Sequence, residues 1–448
     1  MGRRGRPDPE ARGSCVSIAF NSDHSIECVR SGDQGLPLRI CYVSADYPAT
    51  SRGGIGGIGA HTYALSQAIA GLGHDVSVLT ESAGGSERFA DGPVTVHAIP
   101  QGSRRMWKLG GWLPVSWFRR SFAVQRTLQR LHSERPFDLV SFPDGYGEGF
   151  RYSFLPLTPF AVQLFGPASF VQRWDGRTVS PVRARVESWM ERRPAAKASL
   201  VISATRRFAE LVAGEWVLDP ARIRIIRNPL DLARFRPADA GARVDGRRVL
   251  FVGHLQRLKG VHALAAAIPL VVARHPDVEF AFVGNDTSSG PGGVSMRRFL
   301  ERTLSEGGVL GRVRFIDPVP QRELVPLYQA CSVFVLPSLN DVYPNAVLEA
   351  MACGRPCVVT DTVGAAELVT EARGGHVVPP DDFEALAAAI SEMLSIPEPQ
   401  REEMGVRARR IVERACATPV IAAQTVEAYR DVIGERIARP ALHGGNQP

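Results

Sequence analysis

The strongest constraint on the fold is an alternation of short β-branched runs with longer helical runs, which occurs twice along the chain. The first series extends from residues 38–44 to residues 200–203, and the second from residues 248–253 to residues 356–360. Strands separated by helices need crossover connections, so each series predicts an open parallel sheet covered on both faces. The fold class is therefore predicted to be α/β, with two facing sheets and a cleft between their carboxyl edges, where such sheets bind ligands.

The segments around these two series differ in composition. Residues 1–36 mix Arg, Gly, Pro and Ser without a period, and a second stretch rich in Pro, Asp and Arg separates the two series. The predicted organisation is a loosely ordered extension (1–36), a first domain (37–227), a linker (228–247), a second domain (248–418), a closing helix (419–438) and a flexible tail (439–448).

Composition narrows the function classes only slightly. The net charge of +7 on 448 residues is compatible with a nucleic acid, a membrane surface or a phosphorylated substrate, and does not choose among them. The seven cysteines form no CxxC pair, so neither a zinc site nor a disulfide framework is expected. There is no apolar run long enough to cross a bilayer and no signal peptide pattern. These features predict a cytoplasmic protein and leave a peripheral membrane contact open.

A glycine-rich loop follows the first predicted strand and admits two interpretations. Residues 54–59 (GIGGIG) match the GxGxxG pattern, and Glu81 follows at about the distance of a ribose-binding acid, which favours a dinucleotide cofactor. However, about nine residues separate the strand from the first glycine, which is too long for that geometry. The favoured interpretation is that Gly56 and Gly57 open a helix whose free N–H groups face an anion in the cleft.

The second domain begins with a strand, a glycine and a basic loop (FVGHLQRLKG). Gly253 ends the strand, and His254, Arg257 and Lys259 precede a helix that starts near residue 261. Cationic side chains beside a helix N-terminus suit a diphosphate, both for binding and for stabilising it as a leaving group. A solvated basic loop would have the same composition.

A second cluster, PSLNDVYPNAVLEAMACG, makes the diphosphate interpretation stronger. Pro344 is predicted to start a helix, so that the amides of Asn345 and Ala346 point into the cleft. Asp341 lies in the preceding loop, and Glu349 lies within the helix among apolar neighbours, where a carboxylate needs a partner. The two acids can together accept hydrogen bonds from sugar and ribose hydroxyls.

These motifs together resemble the retaining GT-B glycosyltransferases of family four, from about residue 38 to residue 432. The landmarks in order are residues 56–61 (GGIGAH), 73–78 (GHDVSV), 227–231 (RNPLD), 251–260 (FVGHLQRLKG), 341–349 (DVYPNAVLE) and 364–369 (GAAELV), the last of which contains Glu367. The resemblance implies two Rossmann-like domains in the GT-B arrangement, with the last helix crossing back to the first domain.

The resemblance also implies a donor site and a reaction. Lys259 would hold the diphosphate of a nucleotide sugar, Asp341 the sugar and Glu349 the ribose, with Glu367 also on the donor side. It implies no metal and no cofactor, because cationic side chains and helix amides neutralise the leaving group. The anomeric configuration would be retained, without an obligatory protein base.

Three positions depart from the family pattern. His254 stands where the family has a phosphate-binding Arg, and Asp341 replaces Glu. Phe165 replaces the His of a His-Gly segment in the first domain. These changes are read as alterations of specificity or as a loss of activity.

The acceptor side is predicted from the first domain. Asp144 follows a strand that faces the cleft, and it is interpreted either as a ligand for an acceptor hydroxyl or as a turn-forming residue. His61 and Phe165 are placed on the same side. Residues 104–120 combine three Trp with Arg and Lys, which suits either an anionic lipid surface or, as the favoured interpretation, tryptophans packed under a long loop.

The leading hypothesis is a glycosyltransferase that uses a nucleotide sugar and an acceptor glycan, lipid-linked sugar or small molecule, with no nucleic acid partner. One alternative is a catalytically silent nucleotide-sugar-binding protein or partner subunit. A further alternative is an NAD(P)-dependent oxidoreductase that uses the glycine loop.

Overall fold

The computed structural model describes residues 17–20, 26–29, 36–48, 50, 56–100, 113–174, 180–238 and 247–438. Within the segment predicted to be loosely ordered, β1 (Ser17–Phe20) and β2 (Ile26–Val29) pair as an antiparallel hairpin. The described part of this segment before residue 36 is therefore one two-stranded hairpin. The tail predicted at 439–448 lies outside the described residues.

The first domain is built on an eight-stranded sheet. Its strands are β3 (Arg39–Val43), β4 (Asp75–Ser82), β5 (Glu87–Asp91), β6 (Val94–Pro100), β7 (Leu139–Pro143), β8 (Phe160–Leu164), β9 (Leu200–Ser203) and β10 (Ile223–Ile225). Its helices are α1 (Gly57–Gly71), α2 (Val115–Glu134), α3 (Ala168–Trp174), α4 (Pro181–Lys197) and α5 (Arg206–Trp216). The order is β10-β9-β8-β7-β3-β4-β6-β5, and all neighbours are parallel except β5 and β6.

The second domain is built on a six-stranded, wholly parallel sheet. Its strands are β11 (Arg248–Val252), β12 (Glu279–Val283), β13 (Val313–Ile316), β14 (Val333–Leu336), β15 (Cys357–Thr360) and β16 (Gly375–Val378), in the order β13-β12-β11-β14-β15-β16. Its helices are α6 (Val261–Arg274), α7 (Met296–Glu306), α8 (Gln321–Ala330), α9 (Asn345–Ala352), α10 (Ala366–Glu371), α11 (Phe383–Ser395) and α12 (Glu398–Cys416).

The last helix, α13 (Thr418–Ala438), returns to the first domain and packs on α1. There the hydroxyl of Tyr429 donates to that of Tyr42 on β3, at 3.2 Å inside the core. At the other end of α13, the N–H of Leu230 donates to the carbonyl of Cys416, and the N–H of Thr418 donates back to the carbonyl of Leu230. The chain therefore crosses between the domains twice, and the two crossings lie side by side.

The fold class is confirmed, because both predicted parallel sheets are present and face each other across a cleft. The first and last strands of the two predicted series correspond to β3, β9, β11 and β15, each within two residues at both ends, whereas β10 and β16 lie beyond the ends of the series and β5 and β6 are not separated by a helix. Two of these, β5 and β6, form a hairpin over a turn at Gly92. Because β5 and β16 are only partly buried, their sequences mix polar and apolar residues and lack a continuous apolar run.

Two glycines allow loops of the second domain to touch backbone to backbone. Gly260 has φ +70°, and a Cβ there would lie 1.7 Å from the carbonyl oxygen of Pro337, just after β14. A Cβ on Gly364 would lie 1.7 Å from the carbonyl oxygen of Val342. These contacts bring the loop after β11 and the loop after β15 against the loop after β14, at the carboxyl edge of the sheet.

We expect Gly260→Ala to lower the melting temperature, because the new methyl group would force the two loops apart and the left-handed backbone disfavours Ala. The expected loss of folding free energy is more than about 1 kcal/mol, measured by thermal unfolding. Gly214→Ala is the matched control, since a Cβ at that position in α5 meets nothing within 4 Å. Equal melting temperatures for the two variants would contradict this packing argument.

Candidate active site

The candidate site is a cleft of about 370 Å³ between the two domains. The first domain contributes Gly57, Ile58, Leu164, Phe165, Gly166 and Ala204, the linker Asn228, and the second domain Val252, Gly253, His254, Lys259, Leu336 and residues 341–346. These residues lie at the carboxyl edges of both sheets or at helix starts that follow them. Open α/β sheets bind their ligands at this edge.

An ion pair between Lys259 and Asp341 lies on the wall formed by the second domain. The Nζ of Lys259 is 2.5 Å from the Oδ2 of Asp341, and both side chains are largely buried. The backbone of Asp341 is fixed in turn, because its carbonyl accepts from the N–H of Gly364 at 2.8 Å. The structure therefore joins the two residues that the sequence placed on the diphosphate and the sugar.

His254 lies beside this pair on the loop after β11. Partial desolvation in the cleft wall and the neighbouring Lys259 cation lower the pKa of His254, so the neutral imidazole is favoured at neutral pH. Arg257 is exposed and does not line the cleft, while its N–H donates to the hydroxyl of Ser289. Lys259 is therefore the cleft's main cation on this wall, within the described residues.

The start of α9 forms the floor of the cleft. Pro344 occupies the N-cap position rather than the first helical position, and Gly354 adopts φ +71° just past the end of the helix. Within the part of the chain that the structure describes, this end of α9 has no side-chain cap. The amides of Asn345 and Ala346 therefore lie at a helix N-terminus that lines the cleft, where backbone N–H groups favour an anion.

Asn228 links the linker to this helix start and was not singled out as a site residue in the sequence. Its Nδ2 donates to the side-chain oxygen of Asn345 at 3.2 Å. The adjacent Arg227 forms an ion pair with Glu367 at 3.0 Å. Glu367 does not line the cleft among the described residues, and its observed contact is with Arg227, the residue just before the linker. In the sequence, the only local indication of this role is that Asn228 stands directly before Pro229 at the start of the linker.

Glu349 is buried inside the second domain, with 6% of its surface exposed. Its Oε2 accepts from the hydroxyl of Tyr328 on α8 at 2.7 Å, which is the partner that its apolar surroundings require. Burial raises the pKa of Glu349 to about 7, against the opposing effects of the Tyr328 hydrogen bond and of Arg234. In the structure, this carboxyl group contacts Tyr328 and does not line the described cleft.

Phe165 lines the first-domain wall of the cleft. The other two residues predicted on the acceptor side, His61 and Asp144, support this wall from inside the domain and do not line the described cleft. The ring of His61 packs edge-on against Phe165, with centroids 4.9 Å apart. The Oδ2 of Asp144 accepts from the N–H groups of Phe165 and Gly166, both at 3.0 Å. Burial lowers the pKa of His61 to about 4, so this imidazole is neutral at pH 7. Asp144 therefore holds the loop that carries Phe165.

The start of α1 differs from its prediction in one respect. The N–H of Gly56 donates to the Oδ2 of Asp46 at 3.0 Å, so this amide is not free for an anion. Gly57 lines the cleft, and the space around its Cβ position is open. The first two positions of the glycine motif, Gly54 and Ile55, lie outside the described residues, which resume at Gly56.

The dinucleotide interpretation of the glycine loop is weakened by Glu81. Both oxygens of its carboxylate accept from Arg120, at 2.6 and 2.7 Å, so this acid already has a bidentate partner. The buried Glu148 lies 3.8 Å from the same guanidinium. A ribose would have to compete with a charge-assisted pair to reach Glu81.

Comparison with known proteins agrees with this geometry. The profile "Glycosyl transferases group 1" matches residues 246–395, and "Glycosyl transferase 4-like domain" matches residues 56–229. The cleft and the two sheets thus define a GT-B glycosyltransferase fold. The chain belongs to the family of group 1 glycosyl transferases, and the resemblance seen in the sequence is confirmed.

Individual relatives differ in how much of their length is matched. The D-inositol 3-phosphate glycosyltransferase of Corynebacterium urealyticum is 33% identical over 52% of this chain, and the match spans 56% of that relative, about half its length. The glycogen synthase of Mycobacterium tuberculosis is 28% identical over 90% of this chain and 98% of its own. Sucrose-phosphate synthase from Thermosynechococcus elongatus superposes with a TM-score of 0.74 at 21% identity, over 89% of this chain and 100% of its own.

The buried Asp144 of the first-domain wall gives a prediction about pH. Burial raises the pKa of Asp144 to about 7, against the opposing hydrogen bonds from Gly166 and Phe165. A carboxyl group with a raised pKa in the folded state stabilises that state at low pH, and the contribution is lost as the pH rises from about 4 to about 7. We therefore expect Asp144→Asn, which retains an accepting oxygen, to gain melting temperature relative to the wild type as the pH rises through this range.

The measurement is the melting temperature of both proteins at several pH values. Asp317→Asn serves as the control, because the side chain of Asp317 is 89% exposed. A constant difference between Asp144→Asn and the wild type over this range would contradict the burial argument.

Proposed function

We propose that this protein transfers a sugar from a nucleotide diphosphate sugar to an acceptor hydroxyl, with retention of the anomeric configuration. The observation that carries the proposal is the largely buried Lys259–Asp341 pair beside the start of α9. It places one cation, one carboxylate and a helix N-terminus on the same wall of an interdomain cleft. A site that binds both a diphosphate and a sugar uses these three features together.

The ion pair suggests how the donor binds. A diphosphate that accepts from Lys259 would draw its ammonium group away from Asp341 and leave a carboxylate able to accept from sugar hydroxyls. The amides of Asn345 and Ala346 would take a share of the phosphate charge. The imidazole of His254 would supply a hydrogen bond rather than the fixed charge of an Arg, since a lowered pKa favours its neutral form.

The proposed reaction needs no resident metal or cofactor. The acceptor oxygen attacks the anomeric carbon on the face of the leaving group and forms the new C–O bond as the bond from that carbon to the phosphate oxygen breaks. The acceptor proton passes to the departing diphosphate. Lys259 and the amides of α9 stabilise the negative charge that develops there.

The donor class is supported by the names of structural neighbours. Anabaena Alr3699/HepE, solved in complex with UDP-glucose, superposes with a TM-score of 0.65 at 19% identity, over 88% of this chain and 100% of its own. At this identity the likeness establishes the fold alone, so a uridine nucleotide and a hexose are only the first members of the donor panel. The acceptor in this proposal is a glycan, a lipid-linked sugar or a small molecule.

A cytoplasmic location belongs to the same proposal. The five cysteines with described side chains, at positions 41, 331, 353, 357 and 416, are all buried and unpaired. Unpaired thiols are typical of a reducing compartment.

The first test is a thermal-shift screen of the purified protein against a panel of nucleotide sugars and nicotinamide cofactors. We expect a nucleotide sugar to raise the melting temperature of the wild type and of Lys197→Ala, but not of Lys259→Ala. Lys197 is the matched control because it lies at the exposed end of α4. Slow hydrolysis of the stabilising donor would distinguish an enzyme from a silent nucleotide-sugar-binding protein. Stabilisation by a nicotinamide cofactor alone would contradict the proposal.

The proposed ribose contact of Glu349 has its own test. We expect Glu349→Gln to weaken binding of the free nucleoside diphosphate about tenfold or more, because one charge-assisted hydrogen bond is worth roughly 1.5–3 kcal/mol. Tyr328→Phe removes the buried partner of the carboxyl group and is expected to lower the melting temperature with little effect on nucleotide affinity. Equal affinity losses in the two variants, measured by calorimetry, would show that Glu349 has a structural role only.

A further inference from the structure

Two helices of the first domain present outward faces of the same unusual composition. On α2, the exposed positions at helical spacing include Val115, Arg119, Phe122 and Arg126. On α4, they include Val182, Arg185, Trp189 and Arg192. Each face alternates apolar and arginine side chains along its length. Exposed large apolar residues at this density need an explanation beyond ordinary surface composition.

The acids of α4 point away from this surface. Glu187 and Glu191 are both almost fully buried. Glu187 pairs with Arg183 at 2.7 Å, and Glu191 accepts from the N–H of Ala168 at the start of α3. The negative charges of this helix are therefore used inside the domain, and its outward face is positively charged.

An aromatic cluster joins the two helices into one surface. The buried ring of Phe150 packs against Phe118 of α2, with centroids 5.7 Å apart, and against Trp189 of α4, at 4.5 Å. Phe154 packs on the same ring at 5.2 Å, and the guanidinium of Arg193 lies 3.5 Å from the centroid of Phe154. Trp189 and Phe154 remain 41% and 40% exposed. We call the exposed residues of α2 and α4 named above, with Phe154, the aromatic–arginine face.

We propose that the aromatic–arginine face binds the surface of an anionic lipid bilayer. Arginines supply the attraction to lipid phosphates, and exposed Trp and Phe rings supply the apolar groups that enter the interface. The binding is peripheral, since no helix in the described part of the chain is long and apolar enough to cross a membrane. The complementary charge favours anionic lipid over a neutral bilayer.

The position of this face also bears on the acceptor. Trp117 of α2 packs under Tyr146, with centroids 5.9 Å apart, and Tyr146 follows Asp144 at the carboxyl edge of the sheet. That edge forms the first-domain wall of the cleft. A lipid-linked acceptor held at the aromatic–arginine face would therefore have its head group beside the cleft. This placement of the acceptor rests on the proposed glycosyl transfer, whereas binding to the lipid surface is independent of it.

Trp117 is buried within α2, and the long loop that was predicted to cover the tryptophans lies largely outside the described residues. Trp107 and Trp112 lie outside the described residues. The proposed face uses Trp189 and two phenylalanines instead, and the sequence pattern around residues 104–120 did not point to them.

The test is flotation of the full chain with vesicles of phosphatidylcholine, alone or mixed with phosphatidylglycerol. We expect binding to the mixed vesicles and little binding to phosphatidylcholine. For the variant Arg119→Glu/Arg126→Glu/Arg192→Glu we expect the partition coefficient to fall by about a hundredfold or more, at roughly fivefold per arginine. Trp189→Ser should weaken binding as well. The matched control is Arg298→Glu/Arg312→Glu/Arg314→Glu, at exposed positions of the second domain, and should bind like the wild type.

Two kinds of outcome, three results in all, would overturn the proposal. One is wild-type protein that stays unbound with anionic vesicles at low salt. The other is equal binding by the two charge-reversed variants, or binding that depends on the arginines but not on Trp189, which would indicate a polyanion such as a nucleic acid. Each variant is first checked for an unchanged melting temperature and for the donor-induced shift, so that a failure of lipid binding is distinguishable from a failure of the donor site.

Discussion

The contact between Gly260 and the carbonyl of Pro337 determines the arrangement of the donor wall. It brings the loop after β11 against the loop after β14 without a side chain between them. Lys259 and Asp341 come from these two loops, 82 positions apart in the sequence, and meet only because the backbones touch. Gly364 holds the Asp341 loop from its other side. The Lys259–Asp341 ion pair thus depends on the close backbone contact at Gly260 as much as on the attraction between the two charges.

The sequence predicted most of the residues on the donor wall and far fewer of the contacts on the first-domain wall. Fully buried parallel strands read as continuous apolar runs, so the runs at β11 and β14 located the loops that follow them, and with them Lys259 and Asp341. The partners of buried polar groups come from distant parts of the chain. Tyr328 for Glu349, Arg120 for Glu81 and Asp46 for Gly56 therefore had no local signal.

The two walls of the cleft differ in electrostatic character. The donor wall carries a charged pair and a helix N-terminus. Behind the first-domain wall, a lowered pKa keeps the buried His61 neutral and a raised pKa favours the protonated form of the buried Asp144. A neutral carboxyl group and a neutral imidazole contribute little to the electrostatic potential of a cleft that is proposed to hold a diphosphate. Charged groups of the first domain include the Glu81–Arg120 pair and the arginines on the outward faces of α2 and α4.

The paired crossings at Leu230 and Thr418 have a mechanical consequence. We expect two chain segments joined by reciprocal backbone hydrogen bonds at a single point to act as one pivot. Such a pivot favours rotation of the domains over sliding, once contacts such as that of Arg207 with the carbonyl of Asp361 are released. Because Tyr429 anchors α13 to β3, the helix moves as part of the first domain. Any opening or closing of the cleft is therefore a swing about this pivot, with its largest displacement at the cleft edge farthest from residues 230 and 418.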